Sequence, residues 1–254
     1  MRLRAFRRAV ALALALADCV FSYWWIRVRG RVTLGQRAQW LHESACRILR
    51  ALEIRTTVHG RPPAQGLVVA NHLSYLDIMI ISAVMPCFFV SKAEITRWPY
   101  FGRAARTGGT IFLDRRSRAS TAGVARQIAE RLRLPVPVLL FPEGTSSDGS
   151  QVLRFHSSLF EPAAAAGVPV TAAAVRYVLN SGAKERDLCW YDDTLFLLHL
   201  WKALGTPAFF AEVTFGEPRV YPDRRTAAAA THDEVAAMRA APVETANEVL
   251  AQTS

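Results

Sequence analysis

Residues 9–26, AVALALALADCVFSYWWI, are an apolar run broken only by Asp18 and Ser22, and this run constrains the fold most. It closes on Trp24 and Trp25, side chains that favour the membrane–water interface, so it reads as a membrane-associated helix. Arg2, Arg4, Arg7 and Arg8 ahead of it imitate a signal peptide, but Trp24, Trp25, Arg27, Arg29 and Arg31 stand where a small-residue cleavage site belongs. Arginines at both ends fix no orientation, and Asp18 is costly at the centre of a bilayer. The preferred reading is a helix embedded in one leaflet rather than a span.

A second helix follows. Over residues 34–53, Trp40, Leu41, Cys46, Ile48, Leu49 and Leu52 recur at helical spacing, which makes an anchoring helical pair. Eleven arginines against Asp18, Glu43 and Glu53 put +8 of the chain's formal +10 into the first 60 residues. Such a segment attracts anionic lipid. Nucleic acid is disfavoured as a partner, because these arginines flank an apolar helix instead of interleaving with aromatics on a strand surface. Cys19, Cys46, Cys87 and Cys189 are scattered at no metal-ligand or redox spacing, and read as buried thiols in a reducing compartment. No phosphate loop, dinucleotide fingerprint, zinc-protease helix or nucleophile elbow is present.

The rest of the 254 residues alternates short apolar runs with helical patterns. Strands are expected at 67–70, 88–91, 110–114, 136–141, 170–177 and 209–215, and an amphipathic helix at 120–133. That rhythm predicts an α/β fold: a single domain with a mostly parallel mixed sheet flanked by helices, preceded by the N-terminal membrane-associated pair. The expected division is an anchoring segment over 1–58, a catalytic core over 59–222 and a helical tail over 223–254. The tail, Ala-rich and broken by Pro242, shows no chemistry.

The strand at 67–70 runs straight into Asn71-His72-Leu73-Ser74-Tyr75-Leu76-Asp77. Residues five apart on one helix lie about 140° apart around its axis, so His72 and Asp77 can meet only if His72 precedes the helix. With Ser74 as N-cap, Asp77 falls in the first turn and points back toward His72. A carboxylate holding Nδ1 of an imidazole leaves Nε2 as a base. Ser74 and Asp77 also fit a plain capping box, and spacing alone leaves both readings open.

Further along stand Gly109-Thr110-Ile111-Phe112-Leu113-Asp114-Arg115 and Phe141-Pro142-Glu143-Gly144-Thr145, with Phe89 to Ile95 and then Pro99 and Gly102 between. In this order, over about residues 60–180, the chain resembles the 1-acyl-sn-glycerol-3-phosphate acyltransferase family. The resemblance implies that His72 is the general base and Asp77 orients it, with direct transfer and no covalent acyl-enzyme. It also implies that Lys92, Arg115, Glu143, Gly144 and Thr145 bind the acceptor. An ammonium and a bidentate guanidinium at Lys92 and Arg115 suit an anionic headgroup. The cosubstrate would be an acyl carrier protein or coenzyme A thioester; no metal and no other cofactor is assigned. The partners expected are a lysolipid acceptor, the thioester carrier and anionic membrane lipid, at the cytoplasmic face of the cell membrane.

The departures fall on the acceptor side. After Thr145 the family often continues with Arg-Ser, whereas this chain has Ser146-Ser147 and lacks that cation. Residues 148–160 resemble the corresponding stretch of lyso-ornithine lipid and some lysophospholipid acyltransferases. His156 and Ser158 stand where Lys and Gly are frequent, and Val168 to Ala173 keeps one of the fourth motif's two prolines. Lysophosphatidate, the commonest acceptor of such a family, is the leading expectation, lyso-ornithine lipid is the alternative that Ser146 favours, and a non-catalytic basic membrane-binding protein ranks below both.

Overall fold

A computed structural model describes residues 1–97, 101–113, 118–179, 183–192, 194–207 and 209–242. In chain order the elements are α1 (Arg2–Val28), α2 (Leu34–Leu52), β1 (Arg55–His59), β2 (Leu67–Ala70), α3 (Leu76–Val84), β3 (Phe88–Lys92), α4 (Phe101–Thr107), β4 (Ile111–Leu113) and α5 (Arg118–Leu132). They continue with β5 (Val138–Leu140), α6 (Glu161–Ala165), β6 (Val170–Leu179), α7 (Phe196–Gly205), β7 (Phe209–Phe215) and α8 (Arg224–Ala240). The strands form one sheet in the order β1-β7-β6-β2-β5-β3-β4, parallel at every junction except the antiparallel β6/β7 pair. The α/β fold with a mixed, mostly parallel sheet between helices is therefore present.

Alternation along the strands divides the core in two. Val68 and Ala70 of β2, with Ala173, Val175 and Tyr177 of β6, face a cluster that also holds Trp40 and Leu49 of α2, Ile80 and Ile81 of α3 and Leu204 of α7. Leu67 and Val69, with Val170, Ala172 and Ala174, face the opposite cluster, closed by Ile128 of α5, Ala163 of α6 and Ala227 and Val235 of α8. All four residues of β2 are buried, as a central parallel strand covered on both faces requires.

Strand β1, RTTVH, is not among the expected strands: four of its five residues are polar and it lies at the sheet edge, so it offers no apolar alternation. It pairs with β7 in register from Arg55↔Phe210 to His59↔Thr214. The C-terminal helix α8 packs across β6 and is joined to it by Arg176, whose guanidinium donates to the Met238 carbonyl at 3.1 Å.

Helices α1 and α2 lie against each other. Trp40 Nε1 donates to the Cys19 carbonyl at 3.0 Å, and Arg47 pairs with Asp18 at 3.1 Å, which gives the acid inside the apolar run a cationic partner. Thr33 and Gln36 form a capping box at the start of α2. Arg8 turns inward: it is 3% exposed, pairs with Glu53 at 2.9 Å and donates to the Thr206 carbonyl at 2.6 Å.

Candidate active site

The site lies at the carboxyl ends of β2 and β5, where open parallel sheets gather their ligands. As β2 ends, Asn71 is locked to the neighbouring strand: its side-chain amide donates to the Val175 carbonyl at 3.1 Å and its oxygen accepts from the Val175 amide at 2.8 Å. The residue after this clamp, His72, leaves the sheet at a fixed angle.

Helix α3 begins at Leu76, one residue later than a Ser74 cap would start it, with Tyr75 at the N-cap and no side-chain cap of its own. Asp77 supplies what the cap lacks. Its Oδ2 accepts from the Leu73 amide at 2.7 Å, the Ser74 amide at 2.9 Å and His72 Nδ1 at 2.8 Å. Capping and holding the imidazole, alternatives on spacing alone, are thus done by one carboxylate. Tyr177 donates its hydroxyl to the other oxygen, Oδ1. Asp77 is fully buried, and a carboxylate there needs such donors.

His72 keeps partial exposure, with 19% of its side chain accessible, and its ring stacks on Phe141 at 4.1 Å between centroids. Since Nδ1–H is committed to Asp77, Nε2 is the nitrogen left for a substrate. The loop after β5 wraps the same residue from below. Glu143 Oε1 accepts from the His72 amide at 3.1 Å, and the His72 carbonyl accepts from the Ser147 amide at 2.9 Å. Gly144 turns this loop with φ of 72°, in the left-handed region that favours glycine. Burial pushes the Glu143 carboxyl up to about 8, reinforced by the negative charge of Asp77 and opposed by the His72 and Leu153 backbone and by Arg239.

The structure brings His72, Asp77, Glu143 and Gly144 together, with Thr145 exposed beside them and Lys92 exposed at the end of β3. Arg115, Asp114 and Pro99 lie outside the described residues. Tyr177 and Asn71, which sequence reasoning did not assign, are in hydrogen-bond contact with Asp77 and with the strand beside His72. Ser146, read as a missing cation, has a structural duty: its hydroxyl donates to the Trp190 carbonyl, while the Trp190 amide donates to the Leu73 carbonyl at 2.8 Å. Residue 190 thereby ties Ser146 to the segment that follows His72. Among the described residues no group of three or more His, Cys, Asp or Glu could hold a metal ion.

The pattern of acyltransferases matches residues 55–176, which contain His72, Asp77, Lys92, Glu143, Gly144 and Thr145. Lyso-ornithine lipid O-acyltransferase of Rhodobacter capsulatus is 37% identical over 239 residues, 88% of this chain and 85% of that protein. The 1-acyl-sn-glycerol-3-phosphate acyltransferase of Neisseria meningitidis serogroup B is 37% identical over 172 residues, 66% of this chain and 67% of that one. The chain belongs to the 1-acyl-sn-glycerol-3-phosphate acyltransferase family. The crystal structure of the Thermotoga maritima 1-acyl-sn-glycerophosphate acyltransferase shares its fold, with a TM-score of 0.68 at 20% identity over 96% of this chain and all of that one. This acyltransferase is of the lysolipid type, a 1-acylglycerol-3-phosphate or lyso-ornithine lipid enzyme. Its relatives make membrane lipids, and among the described residues α1 is the one helix long and apolar enough to cross a membrane.

Proposed function

We propose that the enzyme transfers a fatty acyl group from an acyl carrier protein or coenzyme A thioester to the hydroxyl of a lyso-ornithine lipid, at the cytoplasmic face of the cell membrane. His72 Nε2 takes the proton of the acceptor hydroxyl as its oxygen attacks the thioester carbonyl. The imidazolium so formed is stabilised by Asp77 at 2.8 Å. When the tetrahedral intermediate collapses, the C–S bond breaks and the departing thiolate recovers the proton from His72. The ester product leaves without any acyl group having been carried on the protein.

The observation that carries the choice of acceptor is Ser146. A neutral hydroxyl bound to the Trp190 carbonyl occupies the place of a family cation. An ornithine headgroup, with one carboxylate and one ammonium, demands less positive charge than a phosphomonoester. Lys92 and Arg115 would meet its carboxylate. Relatives named lyso-ornithine lipid O-acyltransferase in Rhodobacter capsulatus and Brucella abortus also align over 88% and 83% of the chain, well outside the motif region. Lysophosphatidate is the second reading, supported by the equal identity of the Neisseria enzyme.

Purified enzyme assayed with one acyl donor against lyso-ornithine lipid, lysophosphatidate and lysophosphatidylethanolamine tests this. The expected result is a kcat/KM for lyso-ornithine lipid at least about tenfold above the others, which corresponds to about 1.4 kcal/mol of selective transition-state binding. A preference for the phosphomonoester acceptor would overturn it.

A further inference from the structure

Helix α7 turns a polar side chain inward and apolar ones outward along its first half. Its polar residue His199 is 5% exposed, with Nδ1 at 3.1 Å from the Tyr75 hydroxyl, while Leu197 and Leu198 are 74% and 67% exposed. Leu195, one residue ahead, and Trp201, one turn on, are exposed as well. One exposed leucine needs no explanation, but three large apolar side chains grouped on a ten-residue helix and a fourth at its N-cap mark an interaction surface.

Two observations say what covers it. The first is continuity with α1, whose exposed residues include Phe6, Val10, Phe21, Trp24 and Trp25. The two helices are fastened together: Arg8 donates to the carbonyls of Leu204 and Thr206, and a Cβ at Gly205 would come within 2.8 Å of Met1 Cγ. The second is charge. Arg2 and Arg4 are exposed at the start of α1, beside Arg7, which pairs with Glu53, and Lys202 of α7, which pairs with Asp187, so the apolar surface is bordered by basic residues. An apolar face with a basic border is the complement of an anionic lipid leaflet.

The inner side of α7 reaches the catalytic segment. Tyr75, two residues before Asp77, packs its ring edgewise against Phe196 at 5.0 Å, His199 at 5.6 Å and Trp190 at 5.8 Å. Trp190 in turn is bonded to Leu73 and Ser146. A helix seated in lipid would therefore hold the site against the membrane surface.

We propose that α7 is a second membrane-inserting element, with Leu195, Leu197, Leu198 and Trp201 entering the same leaflet as α1. It sets the mouth of the His72 site on the bilayer, so that a lysolipid acceptor reaches His72 without leaving the membrane. This rests on the reading of α1 as a membrane helix, and the test separates the two.

An environment-sensitive nitrobenzoxadiazole probe is attached to the full chain at Leu198→Cys or, separately, at Val28→Cys on α1. The background carries Cys46→Ala, because Cys46 is the one native cysteine that is not buried. Vesicles of phosphatidylglycerol and phosphatidylcholine should shift both emissions to the blue. A shift at position 28 without one at 198 overturns the role of α7 and leaves the α1 reading standing; no shift at either overturns both.

The triple variant Leu197→Ser, Leu198→Ser, Trp201→Ser gives the functional arm. Activity on a long-chain acceptor embedded in vesicles should fall by about tenfold or more, as expected when buried apolar surface is removed. Activity on a short-chain acceptor dissolved as monomers should stay within about twofold of the parent. Equal loss on both acceptors, or no loss on either, contradicts the proposal.

Discussion

Tyr177 donates its hydroxyl to Oδ1 of Asp77, the carboxylate oxygen that His72 leaves free. With this bond Asp77 has four donors, and among the described residues Tyr177 is the one that serves Oδ1. Burial, and then the charge of Asp77, raise the phenol far above its ordinary range, so it stays protonated and donates. In Tyr177→Phe the buried oxygen loses its donor. Hydrogen bonds to charged groups contribute about 1.5–3 kcal/mol, so the variant should lose stability of that order by chemical denaturation. With Asp77 less firmly placed, kcat should fall about tenfold and KM should hold within about twofold. A variant less stable but unchanged in kcat would assign Tyr177 to the core alone.

His72 and Asp77 were legible because their relationship is local: five residues, a strand end and a helix start decide it. Tyr177 was not, since it stands 100 residues downstream and an aromatic on a buried strand carries no sign of its partner. The strand that holds it was legible from its apolar run, and so was its place in a sheet. Likewise, periodicity found Trp40 and Leu49 on α2, but it cannot tell which side of a helix faces out. Leu197 and Leu198 are exposed in the fold, and nothing in the apolar stretch around them says so. The tail around Arg239 offered no motif, because its role comes from where α8 crosses β6.

Glu143 predicts a dependence of stability on pH. Its carboxyl is raised from the ordinary 4.5 to about 8, chiefly by burial. Between those values the unfolded chain releases this proton while the folded one keeps it, so the contribution is complete below about 4.5 and is lost as pH rises toward 8. One proton accounts for at most about 1.4 kcal/mol per pH unit. Glu143→Gln keeps an acceptor for the His72 amide and removes the titration. Its Tm should therefore decline less than the parent's across this window in a pH series; parallel declines would deny Glu143 the role.

Arg239 joins the C-terminal helix to the catalytic side of the sheet. Its guanidinium meets Glu185 Oε2 at 2.7 Å and Oε1 at 2.8 Å, and donates to the carbonyls of Val175 and Gly149. Glu185 Oε1 also accepts from the Tyr177 amide at 2.8 Å. Both partners are largely buried, so Arg239→Met leaves a carboxylate and two carbonyls short of a donor. Breaking such a pair costs about 3–5 kcal/mol. The double variant Arg239→Met, Glu185→Gln should recover part of the loss in Tm, because the uncompensated charge is then gone. No recovery would show that packing, not charge, is what Arg239 supplies.

The central claim is that His72, held by Asp77, is the base that activates the acceptor hydroxyl. The most direct measurement is acyl transfer by purified His72→Ala, in vesicles free of other acyltransferases, with folding checked by the thermal transition. A positioned general base contributes about 10²–10⁴-fold, so kcat should fall by that order with Tm little changed. A well-folded His72→Ala enzyme that transfers acyl groups at the parent's rate would contradict it.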